Sequence, residues 1–252
     1  MNYITNTDLE FNVNQKLNNS LKIKDFAYNG LQVKGKKIIK KIIVGVTACQ
    51  ELIEFAIFTK SDAIIVHHGL FWNHENCMLY GTKKNRLKKI LENNVNLYAW
   101  HLPLDIHPKL GNNAQLAKLL SIDINKILKP CIFFGTMKNK IDCYKFKILL
   151  EKKLKRNVLH FQNKNAVLTI EKIGWCTGSG HKFFEMAIEE NIDAFISGEA
   201  SESTIYIAKE RYVHFYEAGH HATERGGIIA LGKWIQKKYC IETIFFDTNN
   251  PI

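Results

Sequence analysis

Lys41-Ile-Ile-Val-Gly-Val-Thr47 and Asp62-Ala-Ile-Ile-Val66 decide the fold. Each holds a short, almost continuous apolar run rich in β-branched residues, the pattern of a strand covered on both faces. Cys49 to Phe58, between them, reads as a helix. After them Asn85 to Asn93 reads as a helix, Asn96-Leu-Tyr-Ala-Trp100 as a third strand and Asn112 to Leu120 as a further helix. This βαβαβα alternation predicts a parallel sheet with helices on both faces.

Towards the N-terminus, Thr7-Asp-Leu-Glu10 has the form of a capping box opening a helix, with Leu9, Val13 and Leu17 on one stripe, and Asn29-Gly30 marks a turn. Beyond Lys126 the pattern begins again, with a strand around Ile132 to Phe134, a helix from Asp142 to Leu154 and a strand around Ala166 to Ile170. Three segments then match the first half. Lys172-Ile-Gly-Trp-Cys-Thr-Gly178 parallels Ile42-Ile-Val-Gly-Val-Thr-Ala48, Asp193-Ala-Phe-Ile-Ser197 parallels Asp62-Ala-Ile-Ile-Val66, and Val213-His-Phe-Tyr216 parallels Leu97-Tyr-Ala-Trp100. The expected fold class is therefore α/β: two pseudo-repeated α/β lobes, residues 1–127 and 128–252, with mainly parallel sheets. No Pro/Gly/Ser-rich linker divides them, so they should pack tightly.

Residues with metal-ligand chemistry gather where these strands end. His67-His68, His101 with Asp105, and His220 with Glu224 each follow an expected strand, and open α/β sheets bind ligands beyond the carboxyl ends of their strands. Gly69 marks a break in the chain that lets two neighbouring imidazoles diverge towards different ions. His220 and Glu224, at i and i+4, share a helix face that continues through Ile228, Leu231 and Ile235; His221 points away and is the weaker candidate. His67, His68, Asp105, His220 and Glu224 exceed what one tetrahedral ion needs and leave room for water. Two divalent ions per chain, in the cleft between the lobes, are the natural reading, and mixed imidazole and carboxylate ligands suit Zn, Mn and Fe alike.

Composition limits the alternatives. A chain of 252 residues with 46% hydrophobic content can bury its own core, and six scattered cysteines without a CxxC motif point to a reduced, cytoplasmic setting. The first residues lack a signal-peptide pattern and no apolar run reaches membrane-spanning length, so a soluble protein without a membrane partner is expected. A formal charge of +11 invites a nucleic-acid reading, but the lysines are dispersed along a chain rich in Lys, Asn and Ile, as codon bias would leave them. The densest basic stretch, Glu151-Lys-Lys-Leu-Lys-Arg156, looks like the polar end of a helix. Gly174-Trp-Cys-Thr-Gly-Ser-Gly180 fits neither the P-loop nor the dinucleotide fingerprint and reads as a tight turn between strand and helix, with anion binding at the helix start as a further role. Tyr144, Phe146 and Phe161 read as packing residues.

Five segments carry a family resemblance: Asn29-Gly-Leu-Gln-Val33, Asp62-Ala-Ile-Ile-Val-His-His-Gly-Leu-Phe71, His101-Leu-Pro-Leu-Asp105 with Gly111-Asn-Asn113, Asp193-Ala-Phe-Ile-Ser-Gly-Glu199, and Gly219-His-His-Ala-Thr-Glu-Arg225. In order and over nearly the whole chain, they resemble the Nif-three-like family of GTP cyclohydrolase I type 2 homologs, in its short bacterial form. The resemblance implies a two-lobed α/β subunit, a dinuclear site on the five ligands named above and a toroidal homohexamer. It implies less about the reaction.

Two ions that acidify a water and hold a substrate oxygen suit hydrolysis, such as opening a purine imidazole ring or cleaving a phosphate ester. The leading expectation is a metal-dependent hydrolase acting on GTP or another nucleotide. His101 is a candidate general base or orienting residue and Glu199 a candidate acid or base, each with a structural alternative: a strand-end histidine, and a helix cap ahead of Ser201. Two rival functions stand beside the enzyme, a non-catalytic metal-binding or metal-delivery protein and a ring that engages single-stranded nucleic acid.

Overall fold

The computed structural model describes residues 2–17, 24–128, 131–162 and 164–252. The chain runs β1 (Ile4–Thr5), α1 (Asn6–Lys16), β2 (Gly30–Val33), β3 (Ile38–Ile39), β4 (Lys41–Thr47), α2 (Gln50–Phe58), β5 (Ala63–His68), α3 (Gly81–Glu92), β6 (Asn96–Ala99) and α4 (Leu102–Ile106). It continues with α5 (Asn112–Leu120), β7 (Ile122–Leu128), β8 (Ile132–Asp142), α6 (Cys143–Leu154), β9 (Leu159–Phe161), β10 (Thr169–Cys176), α7 (Phe184–Ile188), β11 (Ala194–Ser197), α8 (Glu202–Glu210) and β12 (His214–Glu217). The last elements are α9 (His220–Tyr239) and β13 (Glu242–Phe245).

These elements form two compact units. One comprises residues 1–111 and 227–249, the other residues 112–226 and 250–252. The division differs from the sequential split at 127/128 because the C-terminal segment returns to the first unit. There β13 adds parallel to β4, and Ile228, Leu231 and Ile235 of α9 are buried with Leu9, Val13, Ile42 and Tyr98. Burial outweighs sequence proximity: three fully buried isoleucine and leucine side chains contribute about 1.5–3 kcal/mol each.

In the first unit a five-stranded sheet has the order β13-β4-β5-β6-β2, parallel except for β2 on β6. β4 is Lys41–Thr47, as its apolar run predicts. α1 buries Leu9, Val13 and Leu17 as expected, but its cap is Thr5, not Thr7. Thr5 Oγ1 accepts from the Asp8 backbone N–H, because β1 pairs with β3 and keeps the chain extended up to that residue. Glu10 accepts the backbone N–H of Leu31 on β2 instead of closing the cap.

The second unit has a six-stranded sheet, β7-β8-β10-β11-β12-β9. Its strands are parallel at the centre and antiparallel towards the edges. Only β10-β11 and β11-β12 are parallel, whereas β7 on β8, β8 on β10 and β9 on β12 are antiparallel. The cause is local, since the long β8 folds back on β7 and so needs no crossover helix. Phe133, Phe146, Trp175, Ile196 and Tyr216 centre its core. Tyr144, by contrast, is half exposed and its hydroxyl accepts from Gln162.

The expected duplication has a physical counterpart inside each unit. β4-β5-β6 and β10-β11-β12 are both parallel triplets. Asp62 Oδ2 accepts the backbone N–H groups of Lys40 and Lys41, and Asp193 Oδ2 accepts those of Glu171 and Lys172. Each aspartate ties the entrance of its own strand to that of the strand before it.

Candidate metal centre

In the first unit β5 ends in His67 and His68. The strand is two residues longer than its apolar run, so the pair lies within it and not beyond it: Thr47 is the register partner of His68. Their rings nonetheless lie side by side at the strand end, 4.5 Å apart. His67 is fully buried, and its Nδ1 is 2.9 Å from the Trp100 carbonyl oxygen. An oxygen there can only accept, so Nδ1 carries a proton. The other ring nitrogen, Nε2, lies 3.5 Å from Asp105 Oδ1. A buried imidazole nitrogen turned to a carboxylate is an arrangement that either a proton or a metal cation can bridge. His68 Nδ1 is 3.1 Å from Thr47 Oγ1.

His101 caps α4, the short helix that carries Asp105. Its ring is 5.0 Å from that of His67 and 5.6 Å from that of His68, and the three histidines offer ligand atoms within 4.8 Å of one another. Its Nδ1 is 2.7 Å from Asp25 Oδ1. Burial acts to raise the Asp25 pKa, but the bond and charge of His101 and the N–H groups of Ala27 and Asn29 outweigh it and bring it down to about 2. Asp25 is therefore an anion that accepts a hydrogen bond from His101 Nδ1 and fixes the orientation of that ring. It also accepts the backbone N–H of Leu102 at the start of α4. No sequence motif singles out Asp25; its local traces are the bond to the Ala27 backbone N–H two residues on, an Asx turn, and that to the Asn29 side chain.

In the second unit His220 and Glu224 occupy the first turns of α9. His220 Nε2 is 3.1 Å from Glu224 Oε2, and its Nδ1 is 2.5 Å from Oε1 of Glu199, which follows β11. Burial pushes the His220 pKa down, yet Glu224 and Glu199 outweigh it and raise it to about 9. The imidazole thus holds a proton on both nitrogens at neutral pH, and a cation at Nε2 would displace the one shared with Glu224. Glu199 is itself lowered, burial being outweighed by the His220 and Ser179 hydrogen bonds. It is not the cap of α8; Ser201 is, in a capping box with Thr204. His221 gives its backbone N–H to Ile252 and joins no ligand-atom group among the described residues.

The glycine-rich turn after β10 serves this pair. Gly178 has φ +62°, and a Cβ there would collide with Glu224 Oε1 and stand 3.2 Å from His220 Nε2. The turn is tight, as expected, and its lack of a side chain makes room for the His220–Glu224 contact.

The model of the Duf34/NIF3 (NGG1p interacting factor 3) family matches residues 5–251. The chain belongs to the Duf34/NIF3 family. Among its relatives in this family, the GTP cyclohydrolase 1 type 2 homolog of Buchnera aphidicola subsp. Schizaphis graminum is 49% identical over 243 residues, 96% of this chain and 98% of the relative. That of Escherichia coli K12 is 46% identical over 246 residues, 98% and 99% of the two chains. A solved structure of the protein ybgI, described as of unknown function, superposes with a TM-score of 0.96 at 45% identity, covering 99% of this chain and 100% of that one. TTHA1606 from Thermus thermophilus gives 0.91 at 27% identity, covering 99% and 100%. This Duf34/NIF3 chain also carries a buried His/Asp/Glu cluster able to hold metal ions, and no helix among its described residues is long and apolar enough to cross a membrane.

Proposed function

We propose that this chain is a dinuclear divalent-metal-dependent hydrolase acting on GTP or another nucleotide. The observation that carries the reading is the gathering of imidazole and carboxylate ligand atoms within 4.8 Å of one another, with the fully buried His67 placing Nε2 3.5 Å from the Asp105 carboxylate. His67, His68, Asp105, His220 and Glu224 would be the ligands, a donor set that Zn, Mn or Fe all allow. Held by these residues, two such ions would supply Lewis acidity for hydrolysis.

The remaining roles belong to side chains. Trp100 and Thr47 hold the His67 and His68 rings, Glu199 holds the Nδ1 proton of His220, and Asp25 holds that of His101. His101 Nε2 is then the acceptor for a proton leaving the nucleophile, and Glu199 is a positioning residue. The relatives' name supports a nucleotide substrate. The family resemblance implies a homohexamer, to be read by light scattering as six times 29.1 kDa, and six scattered cysteines without a CxxC motif support a cytoplasmic location.

Elemental analysis of untagged protein, with a screen of nucleotide turnover, tests the reading. Two equivalents of metal per chain and turnover abolished in Glu224→Ala are expected. Metal without turnover would leave a metal carrier; neither metal nor turnover would end the proposal.

A further inference from the structure

The first unit contains a cavity of about 530 Å³ whose walls include Tyr28, Leu31, Phe71, Trp72, Glu75 and Lys83. That is within the ordinary range for a small-molecule site, and the mixture of flat apolar walls with a few polar groups is the usual composition of one. It adjoins the histidine cluster: the Trp72 ring meets His101 edge-on at 5.2 Å and lies 6.0 Å from that of His68. The wall is braced by backbone contacts, with Ala27 bridged antiparallel to Trp72 and Tyr28 N–H given to the Phe71 carbonyl. Asp25, which holds His101, also accepts at its carbonyl from Asn73. The ring-lined wall and the candidate base thus share one support.

At the cavity, Lys83 Nζ lies 2.9 Å from Glu75 Oε2 and 5.0 Å above the Phe71 ring, which fixes the ammonium by a cation–π contact. Glu75 is half exposed and retains capacity for further donors. An ammonium beside a carboxylate sets a donor group next to an acceptor group. Guanine presents the complement on one edge, with O6 as acceptor followed by N1–H and the N2 amino group as donors. On the corresponding edge adenine presents an amino donor in place of O6, an acceptor at N1 and no donor at C2.

We propose that this cavity is the base-recognition subsite of the enzyme, taking a planar ring with a lactam–amidine edge, as in a guanine nucleotide. Trp72 and Tyr28 provide the apolar faces against the ring, Lys83 donates to its carbonyl oxygen and Glu75 accepts from its N–H groups. The inference rests on the nucleotide-hydrolase reading and names the specificity residues within it. A site built to satisfy both N–H groups rejects adenine, which leaves the carboxylate without a donor and turns an amino group towards the ammonium.

The test is equilibrium binding of GMP and AMP to the full chain by tryptophan-emission quenching and calorimetry, with metal content measured in the same samples. GMP should bind about ten-fold or more tightly than AMP. Glu75→Gln should abolish that preference, Lys83→Met should weaken GMP binding, and both should retain wild-type metal content. Absence of saturable GMP binding by the wild type, or a preference unchanged in Glu75→Gln, would overturn the proposal. Trp72→Leu separates a subsite from a surface that covers a second copy of the chain: lost GMP binding at unchanged mass supports the subsite, and altered mass with GMP binding intact refutes it. GMP preference without bound metal would sink the hydrolase reading and keep the subsite. Bound metal and turnover without base preference would do the reverse.

Discussion

Asp25 Oδ1 and His101 Nδ1 lie 2.7 Å apart across 76 residues of sequence, and the aspartate stays ionised to about pH 2. The pair sets which nitrogen of His101 faces the other two histidines. Asp25→Asn removes the charge and frees the tautomer, so nucleotide turnover should fall by about ten- to a hundred-fold while metal content holds. Unchanged turnover in that variant would show that His101 is structural.

His67→Ala and Asp105→Asn each remove one member of the 3.5 Å pair. Both should lower bound metal without unfolding the protein, with Asp105→Asn the milder for stability because it keeps side-chain volume. Full metal stoichiometry in both, by elemental analysis, would refute the ligand assignment.

Gly178→Ala adds a Cβ against Glu224 Oε1 at a positive φ. It should cost about 1–3 kcal/mol in denaturant unfolding and lower metal affinity. Gly81→Ala is the control, since Gly81 has φ +56° with no atom within 4 Å of the added Cβ. Its cost should be about 1–2 kcal/mol from backbone strain alone, with metal binding intact. Equal effects on metal binding would discard the packing argument at Gly178.

Asp62→Ala and Asp193→Ala each free two backbone N–H groups at a strand entrance. A loss of about 1–3 kcal/mol is expected for each. Asp62 should cost somewhat more because it also meets Lys36 Nζ at 2.9 Å. Negligible loss at either site, by urea titration, would contradict the structural role.

His160 stacks on Tyr216 at 4.3 Å, and its Nε2 is 3.0 Å from His214 Nδ1. Burial first, then the His214 and Lys147 charges, lower its pKa from 6.5 to about 4. The unfolded chain therefore takes up the proton before the folded one does. This contribution is fully present above about pH 6.5 and is lost as pH falls towards 4. For a partly exposed ring it should be on the order of 1–2 kcal/mol. His160→Phe should flatten the stability profile across that window; an unchanged slope would assign it to other groups.

Much of the architecture was determined by local pattern. Lys41–Thr47 and Asn112–Leu120 are the elements their apolar spacing predicts, and Leu9, Val13, Leu17, Ile228, Leu231 and Ile235 are buried as their periodicity requires. A run of β-branched residues or a 3.6-residue stripe acts through its own neighbours, so it can be read without knowing the partner. The i, i+4 pairing of His220 with Glu224 was legible for the same reason.

Tertiary structure decided what depends on residues far apart in the chain. Strand pairing set the Thr5 cap, the two-residue extension of β5 through His68 and the antiparallel half of the second sheet. The return of β13 to β4 set where the units divide. Asp25 became part of the site because a hydrogen bond to His101 needs proximity in space, for which neither residue's sequence neighbours carry a signal. Likewise Gly178 is explained only by the carboxylate that packs where its side chain would be. Short-range preferences determined the elements, and long-range contacts, which depend on where each element finds its partner, determined the chemistry.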